Sequence, residues 1–259
     1  MSIEITPKKV VYVLGGIFAL LMVANGAGII STYVFHHGTL KGLVPLFDFD
    51  TDGNIPNYFS AFILLLSAFL FFAVAIASRQ PGKRDHRYWA VLGFIFVYMS
   101  VDEAIRLHER LVIPLQHALN ASGVLYFAWV IPYGIAALVL GVVYLRFIWR
   151  LPSRTRWLLI AAGVLYVSGA LGMELIGGEY YDVHNGRPDI IYAMMTFVEE
   201  TLEPVGIMTL IYTLLYHLQT SLGGIRLEVK GLASIAEVPA TREAVGPEPV
   251  PTQAISSAR

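Results

Sequence analysis

Six apolar runs, each at or above the ~20 residues a helix needs to cross hydrocarbon, decide the fold class before any other feature is weighed. They cover about 10–35, 56–77, 88–112, 125–148, 157–177 and 192–218. Inside a bilayer an open chain can satisfy its backbone only within its own helix, so each run is helical. The expected fold is therefore all-α, a polytopic six-transmembrane-helix bundle over residues 1–218. The run at 10–35 exceeds the length of a signal-peptide core and is expected as a retained span. Residues 219–259 turn polar and proline-rich, too poor in apolar residues to build a core, and read as a disordered cytoplasmic tail.

Charge orients the bundle. Arg79, Lys83, Arg84 and Arg87 fill the loop at 78–87, and Arg146, Arg150, Arg154 and Arg156 fill that at 146–156, which places both loops on the cytoplasmic side. Threading from there leaves both termini inside. The inner side then holds 14 of the 18 bases against six acids, a net of +8. The outer side keeps only Lys41, Arg106, Arg110 and Arg187 against 13 acids, a net of −9. With a total of −1 and no dense basic run, there is no footprint for nucleic acid. The absence of cysteine removes disulfides, thiolate ligands and a cysteine nucleophile.

The acids gather at three helix ends: Asp102, Glu103 and Glu109 on the third span, Glu174 on the fifth, and Glu199, Glu200 and Glu203 on the sixth. Ionisable groups at membrane depth are costly and mark functional sites by default. Pro204 lacks an N–H, which kinks the sixth helix and releases the carbonyl of Glu200. Inward carboxylates from several helices are the donor set of metal sites in helical bundles. The leading expectation is a divalent metal held by Glu103, His108, Glu174, Glu199 and Glu203, with Glu109 or Glu200 as acid/base and Arg106 orienting or balancing charge. Two observations weigh against it. Glu103 and His108 are five apart rather than at the Glu-x-x-His spacing, and on a straight helix His108 points about 120–140° away from Asp102 and Glu103. A proton- and water-filled pocket laced by Arg106 and Arg110, or a cation or proton pathway, uses the same acids. No haem is expected, because His108 and His217 fall at opposite ends of the bilayer, and no retinal, because no span contains a lysine. A Ser100–His108–Asp102 triad stays open, although no nucleophile-elbow sequence surrounds the serine.

The first outer loop offers Asp48, Asp50, Asp52 and Gly53, the opening of a calcium loop. Its twelfth position is Phe59 instead of a bidentate glutamate, so an oxygen-ligand calcium site competes with a solvated acidic turn before Pro56. Tyr126, Trp129 and Tyr133 at the outer end of the fourth span read as an interfacial belt, and Gly177-Gly178 as a break after Glu174.

The V-D-E-x-x-x-L-H-E run at 101–109, the acidic loop leading to Asn54-Ile55-Pro56 and the E-E-x-L-E-P run at 199–204 resemble a family of uncharacterised bacterial multi-pass membrane proteins. The resemblance supports six spans and the grouping of these acids, and implies no chemistry; with the charge asymmetry, the expectation is a bacterial inner-membrane protein whose acidic site opens to the periplasm. The function expected from the residues is a metal-dependent membrane enzyme acting on a lipid or another apolar small molecule. The alternatives are a transporter or cation pathway, and a non-catalytic accessory subunit of a larger membrane complex. Membrane lipids are partners in each case.

Overall fold

Ile190–Ser221 is the axis of the helical unit, a 32-residue helix that continues unbroken through Pro204 and packs against four of the other helices. The computed structural model describes residues 2–4, 6–51, 53–82, 84–222 and 226–228. Nine α-helices lie among them: α1 Pro7–Tyr33, α2 Leu43–Phe47, α3 Ile55–Ala77, α4 Asp85–Ile105, α5 Val112–Leu119, α6 Val130–Arg150, α7 Ser153–Val167, α8 Glu174–Val183 and the axial α9. A π-helical turn, Ser168–Met173, joins α7 to α8. Separately, two three-residue strands, Ser2–Glu4 and Arg226–Glu228, pair in a two-stranded sheet. The expectation of a disordered tail falls, from residue 229 onward, outside the described residues.

Among the described residues five helical stretches are long and apolar enough to cross a membrane: α1, α3, α4, α6 and the continuous run Ser153–Val183. The axial α9 is long enough but carries three glutamates in its N-terminal half. Its central position explains the difference. Ile207, Leu210, Ile211 and Leu214 are buried against α1, α3 and α7, so much of its surface meets protein instead of lipid. Close approach comes from glycine: a Cβ on Gly206 would stand 2.7 Å from the backbone nitrogen of Tyr166, and one on Gly169 would stand 2.8 Å from Cγ of Glu203. Small residues that let backbones touch are the usual means of helix association in lipid, where hydrophobicity supplies little drive.

Three expected boundaries move, each for a local reason. Gly177-Gly178 does not break a helix, since α8 continues to Val183 and Gly178 instead leaves room for Phe127, whose Cδ2 would stand 3.2 Å from a Cβ there, closer than an ordinary contact. The fourth membrane helix starts at Val130 and not at 125, because a 3-10 turn at Gly123–Leu125 comes first, anchored by the Gly123 amide on Asp182. The third ends at Ile105 and not at 112. Arg106 takes a left-handed conformation (φ 51°, ψ 54°) and turns the chain out of the helix.

Candidate acid/base site at one end of the helices

Arg106 builds the site by bending the backbone. A left-handed residue with a side chain costs about 1–2 kcal/mol, and such outliers cluster where the surroundings hold them for function. Here the holder is Asp102, one turn back. Its carbonyl caps the amide of Arg106, and its carboxylate accepts the amide of His108 at 2.9 Å and the His108 Nδ1–H at 3.0 Å. The opposed directions of His108 and Asp102 expected of a straight helix are therefore reversed. The chain folds the imidazole back onto the carboxylate, whose acceptance of the Nδ1 proton fixes the ring tautomer.

Around this pair stand groups from other helices. Trp129 is buried, lies 4.5 Å from the His108 ring centroid to centroid, and donates from Nε1 to Glu174 at 2.8 Å. Tyr133 donates to Asp102 at 3.3 Å and shares a 2.7 Å hydrogen bond with the hydroxyl of Tyr98. Trp129 and Tyr133 thus line the site. Asn57 on α3 donates to the carbonyl of Glu103 at 2.9 Å and to its carboxyl at 3.1 Å. Ser100 donates to the Ala61 carbonyl at 2.8 Å within the α3–α4 contact, so the triad with His108 does not form.

The acids separate into two tiers. In the inner tier Glu174, Glu199, Glu103, Glu200 and Glu203 lie within one another's electrostatic reach. In the outer tier Arg106 pairs with Glu109 at 3.1 Å, and Glu109 lies 4.0 Å from Nε2 of His108. Arg106, Glu109 and Arg110 line a cavity of about 420 Å³ at this level. Beyond the helix end, burial works against a charge on His108. The hydrogen bond and charge of Asp102, with Glu109 and Glu103 behind it, outweigh burial and raise the imidazole above its ordinary range.

The expected metal set does not converge: among the described residues no three His, Asp or Glu side chains are grouped so as to hold an ion. Glu103 faces Asn57, Glu174 faces Trp129 and Glu199, and His108 faces Asp102. The other outer histidines do not fold inward. His36, His37 and His117 are exposed, and His184 stacks on Tyr180 at 3.9 Å. In the first loop Asp48 closes its own turn, accepting from the Asp50 amide and the Thr51 hydroxyl, both at 3.2 Å. Asp50 stands on the wall of a second cavity, of about 320 Å³, with Tyr126, Tyr181 and Tyr192, while Asp52 lies outside the described residues. The Phe49 amide reaches Asn25 in α1 at 3.4 Å, and the Phe49 ring stacks on Phe18 and Phe197, so this loop plugs into the helices beside the acids.

A family model described as a domain of unknown function, DUF8692, matches residues 10–218. The chain belongs to this family. The match covers α1 through nearly all of α9, and with them both acidic tiers; no curated protein and no solved structure matches the chain. Membership of the family agrees with the resemblance carried by the V-D-E-x-x-x-L-H-E and E-E-x-L-E-P runs, and the activity has to be argued from the site.

Proposed function

We propose that this is a six-span protein of a bacterial inner membrane, both termini cytoplasmic, whose periplasm-facing site performs acid/base chemistry on a lipid or another apolar small molecule. The observation that carries the reading is the His108–Asp102 pair, with Nδ1 held at 3.0 Å and Nε2 directed toward Glu109. In this arrangement Asp102 keeps the ring oriented and stabilises its charge. His108 then donates a proton from Nε2 to the substrate, Glu109 receives or returns one at the cavity, and Arg106 orients Glu109.

The alternative of a conduit through the membrane lacks a second half. Inward of Glu203 none of the spans offers an Asp, Glu, Lys, Arg or His until His217, fourteen residues or about 21 Å further along α9. The intervening Ile207, Leu210, Ile211 and Leu214 are buried. That supports a one-sided site.

A metal-dependent version has one observation in its favour: Oδ1 of Asn57, beside Glu103, is buried with no donor, and a cation would satisfy it. Comparing apolar extracts of membranes that contain the wild type, His108→Ala or Asp102→Asn, with and without chelator, separates the two. The acid/base reading predicts a species whose turnover falls about 10²–10⁴-fold in both variants and survives chelation. Turnover lost on chelation supports the metal; extracts that do not differ between wild type and variants sink the reading.

A further inference from the structure

We infer that the substrate reaches the site sideways from the bilayer, as an acyl-chain lipid lying between α4 and α6 with its polar end at the Tyr98–Tyr133 hydroxyl pair. This rests on the proposed reading and adds a substrate class and a route. The aromatic contacts of α6 with α4 cluster at the inner end, where Tyr144 and Phe147 pack on Tyr88 and Trp89 with ring centroids 4.8–5.5 Å apart and the Tyr144 hydroxyl bonds the Tyr88 carbonyl. At the outer end the two helices meet through the hydroxyls of Tyr98 and Tyr133.

Between those clamps none of residues 131–143 of α6 is buried. Tyr133, Ala137, Leu140 and Tyr144 recur at i, i+4, i+7 and i+11, which sets them on one face, the face the clamps turn toward α4. Ala137 and Leu140 are only half-buried there, so that face is incompletely covered by protein over about 16 Å of helix. The surrounding helices belong to the membrane-crossing set, so the medium that fills such a slot is hydrocarbon.

Its outer end is polar and connected to the chemistry. Tyr98 is 49% exposed on the outside of α4, yet its hydroxyl bonds that of Tyr133, which bonds Asp102, which holds His108. A continuous chain of hydroxyl, carboxylate and imidazole thus leads from the lipid-facing surface to the acid. A lipid headgroup or ester level with Tyr98 would stand at the start of that chain while its acyl chain occupied the slot.

The test uses the full chain in nanodiscs containing phosphatidylcholine with a diazirine at mid-acyl chain, photolysed and mapped by mass spectrometry. The proposal expects labels on Ala137, Leu140 and Ile95, which shares the α4 face of Tyr88 and Asp102 that meets α6, in excess of those on the outward Leu138 and Val142. Leu140→Trp, which fills the slot, should remove the labels at Ala137 and Ile95 and keep those at Leu138 and Val142. Labels confined to the outward residues, or a pattern indifferent to Leu140→Trp, overturn it, and the wild-type map alone decides if that variant does not fold. Because labelling reads occupancy and not turnover, a failure here is distinct from a failure of the acid/base reading.

Discussion

Asp50 shows how single residues couple the outer loop to the site. Part of its surface is open, but the protein packed round its carboxyl group raises its pKa to about 6, with Asp48 adding to the rise and Arg106 opposing it. A carboxyl group that binds its proton more tightly when folded favours the fold at low pH. Its contribution shrinks as pH rises from about 3.8 through about 6. Asp50→Asn should therefore melt higher than the wild type above pH 6 in detergent, with the two curves merging near pH 4. Parallel curves over that whole range would show that Asp50 is not crowded. The raised His108 has the opposite acid–base type: its stabilisation is complete below the unfolded value and lost as pH rises through the folded one.

At the scale of elements, the close seam between α9 and the α7–π-turn run positions the inner acids. Gly169 sits where a Cβ would meet Cγ of Glu203 at 2.8 Å and the backbone oxygen of Glu199 at 3.0 Å, and Gly206 sits against the backbone of Tyr166. Gly169→Leu and Gly206→Val should each cost about 1–3 kcal/mol by overpacking, measured by thermal or denaturant unfolding in detergent, whereas Gly141→Ala in the open stretch of α6 should be near neutral. The helices themselves were legible in the sequence, since length and apolarity force them. The turn at Arg106 was not. Arginine carries no local signal for a left-handed bend, and the bend exists because Asp102 accepts the amide and ring of His108, a tertiary arrangement. The same holds for Trp129, Tyr133 and Asn57. Their residue types were visible, but their partners lie 45, 31 and 46 positions away, across helices that spacing within one helix cannot relate.

At the scale of the whole helical unit, the acids that the sequence grouped at one level do come together, from α4, α8 and α9, at one end of the helices. What grouping alone left open was whether they surround an ion or a proton, and the contacts of His108 favour the proton. The measurement that tests this most directly is the titration of His108 by NMR in histidine-labelled protein in nanodiscs, assigned by His108→Gln and repeated in Asp102→Asn. The account predicts a wild-type midpoint above the ~6.5 of unperturbed histidine, falling when Asp102 loses its charge. A wild-type midpoint below that value, or one that Asp102→Asn leaves unmoved, would contradict it.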